Sequence, residues 1–205
     1  MSTTEFEAHG RLLVGRDHPP IGPVGKRLTV SGYGVRVVNT GSGEPNDVTV
    51  VHRWMNSPEV AAGWEQAWPR ARWQKHLTQQ LDGTYSVPLL VSDEGCDVAY
   101  VEIYRAHADV VSHCYPSQPH DIGFHIAIGP DALRGRGRGT LLIRSLLAGI
   151  FDAAPECARI VSDPDVRNEA ALRVDQKLGL TRVGDFQLPH KTTALHLLER
   201  GSFHA

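Results

Sequence analysis

The segment Arg134-Gly135-Arg136-Gly137-Arg138-Gly139-Thr140 constrains this chain more than any other. Ahead of it, Ile122 to Ile128 alternates as a half-buried strand does. Behind it, Leu141, Leu142, Ile143, Leu146, Leu147, Ile150 and Phe151 recur at helical spacing. The glycines therefore open a helix. At such a terminus the first backbone N–H groups have no intrahelical partner, the macrodipole is positive, and glycine lets the backbone come close to an anion. A diphosphate is the anion that suits it, and Gly137 and Gly139 are the positions least tolerant of a side chain. The spacing is not that of a GxGxxG dinucleotide fingerprint, and no βαβ crossover unit starts here.

A length of 205 residues fits one domain with a sizeable core. The net charge of −2 argues against a general nucleic-acid binder, and Arg134, Arg136 and Arg138 lack interleaved aromatics. Cys96, Cys114 and Cys157 show no CxxC pairing and leave an odd one over, which suits a reducing compartment. No zinc-ligand spacing is present. The N-terminus lacks a signal-peptide pattern, and no apolar run approaches the roughly 18 residues that span a bilayer. These features predict a cytoplasmic protein without membrane partners; oligomeric state is left open.

Residues 1–32 are polar and broken by Pro19, Pro20, Gly22, Pro23 and Gly25, and read as an N-terminal extension ahead of a domain at 33–205. A strand is predicted from Gly34 to Asn39. A helix capped by Asp47 follows and stops before Pro58, with Val48, Val51, Trp54 and Met55 inward. A second helix runs from Arg70 to Leu81. Ser86 to Ser92 and Asp97 to Arg105 make a hairpin, with Val98, Tyr100, Glu102 and Tyr104 on one face and Ala99, Val101 and Ile103 on the other. After the glycine-rich segment and its helix, Arg159 to Ser162 is a strand and Asn168 to Leu178 a helix. Leu180 to Phe186 and Thr192 to Leu198 close the chain as a second hairpin.

Arg134-x-x-Gly137-x-Gly139, the strand and helix that flank it, and Asn168-x-x-Ala171 opening a later helix resemble the GCN5-related N-acetyltransferases (GNAT) over residues 34–200. The resemblance implies an α/β (α+β) fold: a central mixed, mostly antiparallel seven-stranded sheet, helices on both faces, and splayed fourth and fifth strands. It also implies acyl-CoA as cosubstrate, without a metal. Backbone groups around Ile126 to Ile128 would take the pantetheine amides. Arg134, Gly135, Arg136, Gly137, Arg138, Gly139, Thr140 and Asn168 would complete the CoA site.

A narrower resemblance rests on Met55-Asn56-x-Pro58, Trp64-Glu65 with Trp68-Pro69, Gly123-x-His125, and Asp163-Pro164-Asp165-x-Arg167-Asn168. It points to the siderophore-biosynthesis branch, which acylates the terminal amine or hydroxylamine of lysine, ornithine or a diamine, and is shared with aminoglycoside 6′-N-acetyltransferases. By motif position His125 and Asp163 are the expected catalytic pair, and Trp64, Glu65 and Trp68, with Glu102 beside two tyrosines, the expected acceptor wall. Independently, the period of two puts Asp121, Gly123 and His125 on the face opposite Ile122, Phe124, Ile126 and Ile128. Imidazole is the side chain best poised to move protons at neutral pH. Asp163 could hold an ammonium, orient the imidazole, or simply open a turn. The tyrosine that many family members carry in the later helix is missing, Asp175 standing in its place. The alternatives to a siderophore-type acyltransferase are an acetyltransferase of aminoglycosides or other small amines, and a non-catalytic acyl-CoA-binding module.

Overall fold

The computed structural model describes residues 5–8, 11–41, 46–64, 66–129, 137–189 and 191–203. The alternating runs of the sequence become seven strands: β3 (Gly34–Val37), β4 (Ser86–Asp93), β5 (Cys96–Arg105), β6 (Ile122–Ile128), β7 (Arg159–Ser162), β8 (Thr181–Gln187) and β9 (Thr192–Glu199). They form one sheet in the order β3-β4-β5-β6-β7-β9-β8. Every pairing is antiparallel except β6 with β7. That parallel ladder holds only Ile122 to Ile160 and Gly123 to Val161, so β6 runs on to Ile128 without β7 beside it. The expected mixed sheet with a splay in its middle is thus observed.

β5 shows why helices cover both faces. Its Ala99, Val101 and Ile103 pack with Leu142, Leu146 and Ile150 of α5 (Arg138–Ala153), and with Leu178 after α6 (Glu169–Lys177). Tyr100, on the opposite face, packs with Val48, Val51, Trp54 and Met55 of α2 (Asp47–Met55), Val60 of α3 (Pro58–Trp64), and Trp73 and Leu77 of α4 (Arg70–Asp82). Side chains two apart on a strand share a face, so one strand seeds two cores. Leu141, part of the apolar run, lies on the outer side of α5 and remains 60% exposed.

Ahead of the sheet, β1 (Glu5–Ala8) and β2 (Arg11–Val14) form a separate hairpin, followed by α1 (Gly22–Arg27). Within the segment read as an extension, Ile21, Val24, Leu28 and Val30 are buried in the core beneath β4 and α5. One local expectation is corrected. Asp47 does not cap α2; Asn46 holds that position, and the buried Asp47 carboxylate instead accepts from the Arg36 guanidinium and the Asn39 N–H, both at 2.8 Å. An ion pair to the edge strand outcompetes the local cap because it also satisfies the loop backbone.

Candidate active site

Where β6 and β7 part, a cavity of about 740 Å³ opens between α3, α6, β6 and the β8–β9 turn, and His125, Asp163, Glu102, Trp64 and Trp68 all line it. The strand register explains the grouping. Glu102 of β5 is directly opposite His125 of β6, and Tyr104 is opposite Gly123. Gly123 is required there: a Cβ would come within 2.1 Å of the Tyr104 ring. The space it leaves lets that ring lie on His125, 4.9 Å between centroids and 12° from parallel.

The imidazole sits between two buried acids. Its Nε2 is 3.3 Å from Asp163 Oδ1, and its Nδ1 is 3.5 Å from Glu102 Oε2. A proton taken up by the ring therefore meets negative charge on both sides. Both separations are longer than a short charge-assisted hydrogen bond. Asp163 is 2% exposed. Its Oδ1 also accepts from Tyr104 OH at 2.8 Å, and its Oδ2 from Lys191 Nζ at 2.8 Å. Glu102 accepts from Tyr100 OH at 2.6 Å and faces His76 Nε2 at 3.3 Å. Burial alone would push the Glu102 carboxyl up, but the hydrogen bonds and charges of His125 and His76 outweigh it and hold it well below the usual carboxylate range. Tyr100, buried beside that charge, is pushed well up.

Trp64 meets His125 edge-on at 5.6 Å. Trp68 lies 4.9 Å from Trp73 and carries the Arg72 guanidinium over its ring at 4.0 Å. Both tryptophans are half-buried, packing inward while facing the cavity. On the opposite wall, Asp175 of α6 accepts from Ser162 Oγ at 2.8 Å, and burial pushes its carboxyl up to about 7.

The glycine-rich segment is described from Gly137 onward. Gly137 occupies the N-cap of α5 with φ +74°, the left-handed region that disfavours a side chain. Gly139 brings the helix start against Ile128: a Cβ there would lie 2.8 Å from Ile128 Cδ1. Ile126 and Ile128 line the cavity, and Thr140 is half-buried in the first turn of α5. Arg138 is bonded to Asp93. Asn168 lines the cavity and caps α6, its Oδ1 accepting from Ala171 N–H at 3.1 Å. Arg134, Gly135, Arg136 and Glu65 lie outside the described residues.

Sequence reasoning did not single out Lys191, His76 or the contact of Tyr104 with Asp163. The only signals for them were the shared face of Tyr100, Glu102 and Tyr104, and His76 on the inner side of α4. No group of three or more His, Cys, Asp or Glu among the described residues is placed to hold a metal ion, and none of the described helices is long and apolar enough to cross a membrane.

Residues 44–188 match the model of the acetyltransferase (GNAT) domain. The chain is 41% identical over 167 residues to lysine N-acyltransferase MbtK of Mycobacterium tuberculosis, covering 82% of this chain and 77% of that one. It is 26% identical over 160 residues to N-hydroxyputrescine acetyltransferase of Acinetobacter baumannii, covering 78% and 76%. Its fold also resembles aminoglycoside acetyltransferase AAC(6′)-Ib solved with coenzyme A and kanamycin, with TM-score 0.70, 22% identity, and 82% and 95% coverage. A splayed mixed sheet with a glycine-started helix beside the gap, matched over most of its length by that domain and by a lysine N-acyltransferase, identifies the chain as an acyltransferase belonging to the GNAT family.

Proposed function

We propose that this enzyme transfers the acyl group of an acyl-CoA to the terminal amine or hydroxylamine of a lysine-, ornithine- or diamine-like acceptor, and that the product feeds hydroxamate siderophore assembly. The observation that carries this reading is His125 set 3.3 Å from Asp163 where β6 leaves β7, both lining a cavity of about 740 Å³. Likeness to enzymes named for lysine and N-hydroxyputrescine supports the acceptor class. A binding module without chemistry has no use for a histidine flanked by two buried carboxylates.

In this reading the Gly137 to Thr140 turn of α5 holds the diphosphate, and the edge of β6 left by the splay takes the pantetheine arm. The acceptor nitrogen adds to the thioester carbonyl carbon. His125 takes the proton that nitrogen loses, with its plane fixed by Tyr104 and its new charge met by Glu102 and Asp163. The C–S bond then breaks. Thiols have pKa values near 8.5, so the thiolate departs readily; Asp175 lines the cavity, burial pushes its carboxyl up to about 7, and the fraction protonated at neutral pH supplies the proton. We read transfer as direct, because none of Cys96, Cys114 and Cys157 lines the cavity that holds His125.

The test is release of free CoA thiol from acetyl-, succinyl- and long-chain acyl-CoA against lysine, N-hydroxylysine, ornithine, cadaverine, N-hydroxycadaverine and kanamycin. Turnover with a lysine- or diamine-type acceptor is expected. Turnover with kanamycin alone would replace this acceptor class, and CoA binding without turnover on any acceptor would defeat the enzymatic reading.

A further inference from the structure

The cavity is rich in acids, and an acid-lined cavity ordinarily invites a cationic amine. Here the acids already have partners. Asp163 has Lys191: the ammonium donates to Oδ2 at 2.8 Å and also to the Asp163 main-chain oxygen, while Tyr104 and His125 occupy Oδ1. Asp165 has Arg167, which reaches both its oxygens at 2.8 Å and holds its carboxyl down at about 2. Glu102 has Tyr100 and two imidazoles. Asp175 accepts from Ser162 Oγ at 2.8 Å and faces His196 Nδ1 at 3.5 Å, and burial pushes its carboxyl up to about 7. Glu59, the other acid in the lining, is exposed on α3.

Lys191 is built into this position. Its carbonyl accepts from Leu188 N–H at 2.8 Å, closing the β8–β9 turn, and its side chain, 17% exposed, points from that turn to the end of β7. It therefore places a lysine ammonium on the carboxylate beside the candidate base. A second ammonium arriving there would find Asp163 already ion-paired and a like charge within a few ångströms.

We propose that Lys191 is a specificity determinant that makes the site select an electrically neutral acceptor nitrogen, so that the preferred substrate is an N-hydroxylated amine rather than the parent lysine-type amine. This rests on the acyltransferase reading above and narrows it. An alkylammonium with a pKa near 10.4 is neutral in only about one molecule in 10³ to 10⁴ at pH 7, whereas an N-hydroxylated amine is far less basic and enters already neutral. The class of reaction that supplies this substrate is then an N-oxygenation of the amine, preceding acylation. The product is a hydroxamate, formed as the acceptor nitrogen bonds to the acyl carbon, the C–S bond breaks, and one proton passes from nitrogen to His125 while the sulfur receives one.

The experiment compares kcat/KM for N6-hydroxylysine and lysine at pH 7, with one acyl-CoA, in the wild-type enzyme and in Lys191→Met. The wild type is expected to favour the hydroxylamine by about 10²-fold or more. Lys191→Met, which frees Asp163 for a substrate ammonium, is expected to narrow the ratio by at least about tenfold, through improved use of lysine. Should that variant fold poorly, the wild type alone decides. If only neutral amine binds, KM for lysine falls about tenfold per pH unit between pH 7 and 9 at constant kcat. A constant KM with the rise in kcat, a wild-type preference for lysine, or an unchanged ratio in a folded Lys191→Met would overturn the proposal while leaving the acyltransferase reading intact. Absence of transfer to either acceptor by the wild type would overturn both.

Discussion

Glu102→Gln is the most informative single perturbation of the site. The substitution is nearly isosteric, so the amide oxygen still accepts from Tyr100 OH, which is 2.6 Å from Oε1 in the native site. What disappears is the charge that faces His76 at 3.3 Å and His125 at 3.5 Å. A hydrogen bond to a charged group contributes about 1 kcal/mol more than a neutral one, so the contacts of Glu102 with Tyr100 at 2.6 Å and His76 at 3.3 Å together lose about 2 kcal/mol when the charge goes. At about 2–4 °C per kcal/mol for a chain of this size, the expected fall in Tm at pH 7 is about 4–8 °C. The pH dependence is sharper. Because the folded protein holds the Glu102 carboxyl below its ordinary range, the native side chain contributes stability that is present above the unfolded pKa near 4.3 and is lost as pH falls through the lower folded value. The gap in Tm between wild type and variant should therefore close as the pH falls below about 4. Turnover should fall by about tenfold or more with acyl-CoA affinity unchanged, since His125 loses one of its two charge partners. Calorimetry from pH 3 to 8 with kcat at pH 7 tests this. A gap that is the same at both ends of the range, or absent at pH 7, would show that Glu102 is not the ionised hub between the two histidines.

His125→Ala should lower turnover about 10²- to 10⁴-fold at pH 7 with little change in acyl-CoA affinity, and the loss should shrink with rising pH for lysine and be smaller for a hydroxylamine; rates close to wild type on lysine at pH 7 would remove the base role. Gly123→Ala puts a Cβ 2.1 Å from Tyr104, so the ring must move off His125 and Asp163. Overpacking of this kind costs about 1–3 kcal/mol, and Tm and kcat should fall together; a wild-type Tm would contradict the packing. Asp175→Asn has no buried charge to form. Since the Asp175 pKa is raised to about 7, the native carboxyl contributes stability that is complete below the unfolded pKa near 3.9 and is lost as pH rises through 7, so the variant's Tm should fall less than that of the wild type between pH 4 and 8. Parallel curves would refute the raised value.

The local patterns of the sequence determined most of the fold. Alternation along β5 assigned Tyr100, Glu102 and Tyr104 to one face and Ala99, Val101 and Ile103 to the other, and the two cores are built on that division. The apolar run after Gly139 became α5, and Asn168 caps α6. Such features are legible because a period of 2 or 3.6 is a property of neighbours in the chain. The pairing of His125 with Asp163 was foreshadowed by motif position and by the faces of β6. The geometry around it was not. Lys191 reaches Asp163 across 28 positions of sequence, and His76 reaches Glu102 across 26. No periodicity registers contacts that exist only once α4 and the β8–β9 turn have packed against the sheet. Asp47 shows the same limit in reverse: its sequence context favoured a helix cap, but Arg36, brought near by the edge strand, offered the carboxylate a stronger partner. The sequence determined which side chains face the gap between β6 and β7; tertiary packing decided which of their charges were already paired there, because Coulomb energy depends on separation and burial rather than on order in the chain.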